Sequence, residues 1–450
     1  MASFRTSCVS LFSITSLFLS QAQAEESIGN NSLQFSPSVS LGSEYRTNLY
    51  LQEGLQEASD GTVIGQPLTS GTAILINPVL KLKYSNGGIE TVLGINYRAK
   101  KYISSDSIDL SGLDRFKDVQ FSGGLNLYPI KEFGLSISNS LLSSGRETSA
   151  DDTGSAYLQT IRNNLRGGIL FRPGSALEFG VGGLYNIVDI TDAQSNKTDP
   201  ASRLNNKQAF GWYADAQWKF FPRTSLFASV SQESIDWENK LVFSQESCAT
   251  SFTGDCQIAS AIPNGSSLKG TFGISGRFSE RFLLKFAVNY GTATYDIQSL
   301  TQDVTLGSQL TDLLASAGAN LEGLAGLGLS TGLTFMFSEN HSFDFKYDKD
   351  FMDVYFSNFS IYHQFVAEHS VLIMRRVRWN TGFRYRIDSY EGSMTRTDNR
   401  ISVNSDVNIQ LQKQVSLRFG GGWSQLASTP EFFNIEYDDI RVHGGLVLGY

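Results

Sequence analysis

The sequence predicts an all-β fold, a single-chain transmembrane antiparallel barrel, and three observations lead there. Strict period-two alternation of apolar and polar residues recurs from about residue 33 to the end of the chain. Short turns and longer polar connections alternate, as they do in outer-membrane barrels. Aromatic residues gather near both ends of the apolar faces, where two lipid–water interfaces favour them. The competing reading is a large soluble β-sandwich or β-helix, in which aromatics would occur at any depth along a strand.

Residues 1–24 read as a secretory signal. Arg5 gives a weakly basic start, Val9 to Leu19 form a short apolar stretch, and Ala22-Gln23-Ala24 makes a small-residue cleavage motif before Glu25. The apolar part is too short to span a bilayer, and no later segment approaches 18 uninterrupted apolar residues. A helical membrane protein is therefore excluded, and residues 25–450 are assigned to the barrel. Charged residues are 18% and aromatics 12%, with 42 Gly, 9 Pro and 4 His, a balance that suits many antiparallel strands. A net charge of -8 opposes nucleic-acid binding.

The first clear hairpin is ILINPVLKLKYSNGGIETVLGINYRA. Ile74, Ile76, Pro78, Leu80, Leu82 and Tyr84 share one face, and after Asn86-Gly87-Gly88 so do Ile89, Thr91, Leu93, Ile95, Tyr97 and Ala99. The other face carries Asn77, Lys81, Lys83, Glu90, Asn96 and Arg98. Pro78 removes one ladder donor and is the weak point of its strand. The same rhythm gives eighteen strands, roughly 33–50, 72–85, 89–101, 116–128, 134–142, 157–171, 176–188, 208–220, 224–235, 267–279, 282–294, 326–337, 343–350, 354–366, 370–387, 399–410, 414–425 and 439–450. Sixteen is the alternative count, because VLIMRRV within 343–376 has no clean alternation.

Short turns are expected at YPIKEF, RPGS, FPRT, SER and SENHS, on the periplasmic side. The opposite connections are long and polar, including 51–71, 236–265, 292–325, 388–398 and 426–438, with a short exception around Asp348–Asp353. Within 306–324, Leu310, Leu313, Leu314 and Leu321 fit a short amphipathic loop helix, placed either in the lumen or on the outer rim. Cys248 and Cys256 remain after the signal is removed. An even count in an oxidising compartment favours a disulfide, with two reduced loop thiols as the alternative.

Tyr84, Phe171, Phe220, Phe278 and Phe337 form the belt expected near the short turns. Tyr45, Tyr97, Tyr185, Tyr290, Tyr385 and Trp423 form the far belt. The last strand, IRVHGGLVLGY, is expected to close the ring on the Phe35–Tyr45 segment, with Tyr450 at the periplasmic belt. Closure is required because an edge left in hydrocarbon would expose unpaired backbone groups.

The same phase lists pore-lining residues: Lys81, Lys83, Arg98, Glu178, Asp215, Asp344, Arg376, Arg378, Arg384, Arg386 and Arg418. Glu90 and Asp348 join the acidic set. Facing rows of Arg and carboxylate would orient solutes in a water-filled pore; the plainer reading is that these charges pair with one another. No G-x-S-x-G, H-E-x-x-H or P-loop occurs. His341 and His369 are expected in short turns, His363 in an uncertain strand and His443 near the start of the last. Neither catalytic residues, nor a metal site, nor a cofactor is expected.

SLGSEYRTNLYL, TDNRISVNSDVNIQLQKQVSLRFGGGWSQ and the closing YDDIRVHGGLVLGY give the chain a further character. Over most of 33–450 it resembles the outer-membrane β-barrel porins of Gram-negative bacteria, the porin-2-like group. The resemblance implies the outer membrane and a pore-like role, an encounter with the outer-membrane insertion machinery, and a terminal aromatic read by that machinery. Expected partners are outer-membrane lipid and a small hydrophilic solute, with a homo-oligomer as a further expectation. Two functions stay open: a passive or weakly selective diffusion channel, or a barrel in a larger envelope assembly such as a polysaccharide-export outlet.

Overall fold

The computed structural model describes residues 32–48, 56–57, 63–64, 70–103, 117–145, 158–192, 206–238, 241–243, 258–261, 263–296, 323–353, 359–391, 396–429 and 437–449. The signal segment, Cys248 and Cys256, residues 306–322 of the expected loop helix, and Tyr450 lie outside the described residues.

Eighteen strands form one sheet closed on itself. In chain order they are β1 (Ser32–Arg46), β2 (Gly71–Asn86), β3 (Ile89–Ile103), β4 (Lys117–Ile130), β5 (Phe133–Gly145) and β6 (Leu158–Phe171). Then come β7 (Leu177–Asp192), β8 (Lys207–Phe221), β9 (Thr224–Trp237), β10 (Asn264–Ser279), β11 (Phe282–Asp296) and β12 (Leu324–Ser338). The last six are β13 (His341–Asp353), β14 (Phe359–Ile373), β15 (Val377–Glu391), β16 (Arg396–Gln412), β17 (Val415–Thr429) and β18 (Tyr437–Gly449). Each pairs antiparallel with its chain neighbour, and β1 pairs with both β2 and β18. Two short ribbons, Gln56–Glu57 with Val63–Ile64 and Leu241–Phe243 with Ile258–Ala261, stand apart from the barrel sheet.

Eighteen is the count, and the hard region is resolved by a turn that carries no turn residue. The expected strand 370–387 is broken at Met374–Arg376, so β14 ends at Ile373 and β15 begins at Val377. Met374 and Arg375 have φ of 52° and 59°, and the Arg376 amide donates to Ile373 O at 3.2 Å. Two left-handed central residues closed this way match the hairpin turn that Asn-Gly usually fills. With Cβ atoms present, each left-handed residue costs roughly 1–2 kcal/mol. β13 also runs further than expected, to Asp353, and β15 and β16 extend until only residues 392–395 separate them. Pro78 has the expected effect: β2 and β3 pair at Ile76↔Ala99 and Val79↔Asn96 but not between.

The seam between the first and last strands is close-packed. A Cβ on Gly42 would lie 2.5 Å from Gly444 O, and one on Gly445 would lie 2.5 Å from Leu41 O. Backbone supplies those atoms, so it cannot yield as a flexible side chain would. Gly445→Val is expected to destabilise the folded barrel by about 1–3 kcal/mol, read as a lower urea midpoint in detergent micelles. An unchanged midpoint would show that the seam is looser than this.

The outward face fixes the height of the apolar band. Tyr97, Tyr185, Tyr290, Tyr385 and Trp423 each stand eight residues past the first residue of their strand, in β3, β7, β11, β15 and β17. Eight residues at ~3.4 Å along a strand tilted ~40° rise about 21 Å. That is close to the ~25 Å apolar band of an outer-membrane barrel. At the short-turn end Phe133, Trp218, Phe221, Phe278 and Phe337 are all more than half exposed or nearly so.

Candidate functional site: the inner wall

Strands about 4.8 Å apart and tilted about 40° put an eighteen-strand ring roughly 36 Å across, backbone to backbone. Side chains from facing walls cannot meet over that distance, so the inward residues of the described strands form no packed core between them. Their chemistry is polar. Inward positions of β1 carry Ser36, Ser38, Ser40, Glu44 and Arg46, and those of β16 carry Ser402, Asn404, Asp406 and Asn408, alternating with the lipid face.

Most of the wall's charge is matched locally. Arg98 lies 3.9 Å from Asp118, Arg166 3.2 Å from Asp215, and Arg172 2.7 Å from Glu178. Arg418 and His443 both reach Asp406, at 3.2 and 2.8 Å. Arg386 grips Asp388 on its own strand through Nε at 2.8 Å, while Arg396 and Arg400 hold Asp398 at 2.9 and 3.6 Å. Asp344 accepts from Thr334 and Asp348 from Ser330, and Glu90 accepts from Asn126 at 3.5 Å. Arg384 stands on the inward phase of β15 and has a contact partner of its own.

Three of the sequence-derived cations differ. Lys81 and Lys83 on β2 and Arg378 on β15 sit on the inward phase, are exposed, and make no ion pair among the described residues. Arg376 is not on the wall. It lies in the exposed Met374–Arg376 turn, because the turn interrupts the strand on which its inward phase was counted. Arg375 falls in the same turn, at the short-turn rim and clear of the apolar band. His341 and His369 lie in β13 and β14, not in turns.

Two parts of the wall had no signal in the sequence. The first is a clip at the outer end of the seam. Arg46 donates to Asp439 Oδ2 through Nε at 3.0 Å and Nη2 at 2.7 Å, with the side chains 4% and 2% exposed. Asn48 N donates to Asp439 Oδ1, Ile440 N to Thr47 Oγ1, and Thr47 N to Ile440 O. Glu44, beside it, receives Lys100 at 3.3 Å and Arg441 at 3.9 Å.

The second is the far end of the β13–β14 hairpin. β13 leaves β12 after Leu329↔Lys349, yet its pairing with β14 continues to Asp353↔Phe359. Beyond the split the hairpin turns inward across the wall. Lys269 Nζ on β10 donates to Phe351 O at 2.6 Å, lies 4.2 Å from the Phe351 ring centre, and reaches Asp350 at 3.5 Å. Phe359 stacks on Tyr295 of β11, with ring centres 6.2 Å apart and planes within 6°. Phe351 rests where Gly291 has no side chain; a Cβ there would be 2.0 Å from the ring.

A closed sheet with an apolar outer band, aromatic rims and a polar, charge-bearing inner wall is a transmembrane β-barrel of the Gram-negative outer membrane, porin-like in build. Its architecture is similar to solved proteins of Pseudomonas aeruginosa, among them the outer membrane protein OpdK. OccK1 (OpdK) is 11% identical, with 93% of this chain and 99% of that chain covered and a TM-score of 0.46. OccK9 (OpdG) is 12% identical, with 94% and 99% covered and a TM-score of 0.46. OpdL is 10% identical, with 92% and 99% covered and a TM-score of 0.43. At these identities and TM-scores the likeness assigns neither a solute nor a residue role. No family model matches the sequence, and no curated protein matches it.

Proposed function

We propose that the protein is an outer-membrane channel through which small hydrophilic solutes diffuse, with a weak preference for anions. The observation that carries the preference is a contrast within the sector from β15 through the seam to β2: Asp388, Asp398, Asp406, Asp439 and Glu44 are each ion-paired, whereas Lys81, Lys83 and Arg378 make no ion pair among the described residues. Unmatched cations leave a net positive sector from β15 through the seam to β2. The inward-turned β13–β14 tip, resting on β10 and β11, narrows the passage from that part of the wall. That narrowing favours small solutes over a polymer outlet.

Screening sets the conditions under which the preference is visible. At 0.1 M salt the Debye length is about 10 Å, an appreciable part of the pore radius, and at 1 M it is about 3 Å. Anion preference is therefore expected to be clear at low salt and to fade as salt rises. Reversal potentials across a planar bilayer under a KCl gradient read it directly. Lys81→Glu/Lys83→Glu/Arg378→Glu should bring the Cl⁻/K⁺ permeability ratio below one. A ratio unmoved by the triple change would overturn the wall-charge reading and leave an unselective channel.

A further inference from the structure

No three His, Cys, Asp or Glu side chains converge on a point among the described residues, but two imidazoles do. His341 opens β13 and His369 lies on β14, in diagonal positions of the ladder, since His341 pairs with Val371 and Phe343 with His369. Both share the outward phase of Phe343, beside the Glu339–Asn340 turn at the short-turn rim. Their Nε2 atoms face each other at 2.7 Å, with ring centres 4.8 Å apart and planes at 79°. The rings are held from both sides. Phe337 lies 4.7 Å from His341, and Trp379 meets His369 edge-on at 6.3 Å. Trp379 is itself fixed by an Nε1 bond to Ser405 at 2.9 Å.

We propose that His341 and His369 form a binding site for a borderline divalent transition ion, of the Zn²⁺ or Cu²⁺ class, on the periplasmic rim of the barrel. Facing Nε2 atoms at this distance share a hydrogen bond, so one ring carries its proton on Nε2. A metal ion bound between the two Nε2 atoms replaces that hydrogen bond as the proton moves to Nδ1 of the same ring through water, and imidazole is the ligand these ions favour. With metal–nitrogen bonds near 2.0–2.1 Å and tetrahedral angles, the two nitrogens would stand about 3.3 Å apart. The pair needs to open by about 0.6 Å, within reach of small side-chain rotations. Water completes the coordination at the membrane boundary. The other two histidines are engaged elsewhere: His363 with the Tyr347 hydroxyl at 3.0 Å and His443 with Asp406 at 2.8 Å.

The test is Zn²⁺ calorimetry and Cu²⁺ electron paramagnetic resonance on the mature barrel in detergent micelles, without a histidine tag. One equivalent should bind, and the copper spectrum should show coupling to two nitrogens. His341→Ala and His369→Ala, each checked for folding by heat-modified mobility, should weaken Zn²⁺ binding about tenfold or more. His363→Ala should bind like the parent, and acid should release the metal because imidazole must be unprotonated to ligate. His341→Gln serves if the alanine variant does not fold. Binding absent from the parent, or equal in parent and both rim variants, would overturn the site.

Discussion

Asp439→Asn is expected to lower the unfolding free energy of the barrel by about 3–5 kcal/mol, the usual penalty for leaving a buried charge without its partner. The lost carboxylate takes both Arg46 bonds with it, at 3.0 and 2.7 Å, and weakens the Asn48 amide bond at 3.2 Å. Arg46 would then remain almost fully buried with its paired carboxylate gone. The seam is where such a loss matters most, because β1 and β18 join over fewer registered pairs than β1 and β2. Urea unfolding in micelles, followed by heat-modified mobility, measures it. Replacing both partners with apolar residues, Arg46→Met with Asp439→Leu, should recover most of the loss, since the desolvation of the two charges disappears with them. If Asp439→Asn unfolds within about 0.5 kcal/mol of the parent, the level of an ordinary surface change, the clip does not hold the seam.

Gly291→Val is expected to expel the β13–β14 tip from the lumen. A Cβ at that position would sit 2.0 Å from Phe351 Cε1 and 2.5 Å from Cζ, with a ring on one side and the strand on the other. Among the described residues, the tip is also held by the Lys269 contacts and the Phe359–Tyr295 stack. Lys269→Ala removes the first of these, so the double change should hold the tip out more completely than Gly291→Val alone. Single-channel conductance would rise on the order of twofold as the open section widens. The same variants should admit larger neutral sugars in a liposome-swelling assay. Conductance equal to the parent's would mean that the tip does not limit passage.

The barrel was legible because its driving forces repeat. Alternation, short turns and aromatics eight residues along the rising strands recur often enough that no single segment decides the reading. Residues such as Lys81, Lys83 and Arg378 follow from that phase alone. Arg376 failed because its turn uses Met374 and Arg375, whose types do not announce left-handed backbone. The Arg46–Asp439 pair is separated by 393 residues, and only closure brings its members together. The inward tip depends on β13 parting from β12, an event set by Phe351, Gly291 and Lys269 jointly and carried by no local pattern.

Planar-bilayer recording on the purified, folded barrel at low salt decides whether it is a water-filled, weakly anion-preferring channel. Discrete open steps are expected, with a reversal potential on the anion side that declines as salt is raised. A barrel shown to be folded by its heat-modified mobility that gives no steps would not be a channel, whatever the charges on its wall.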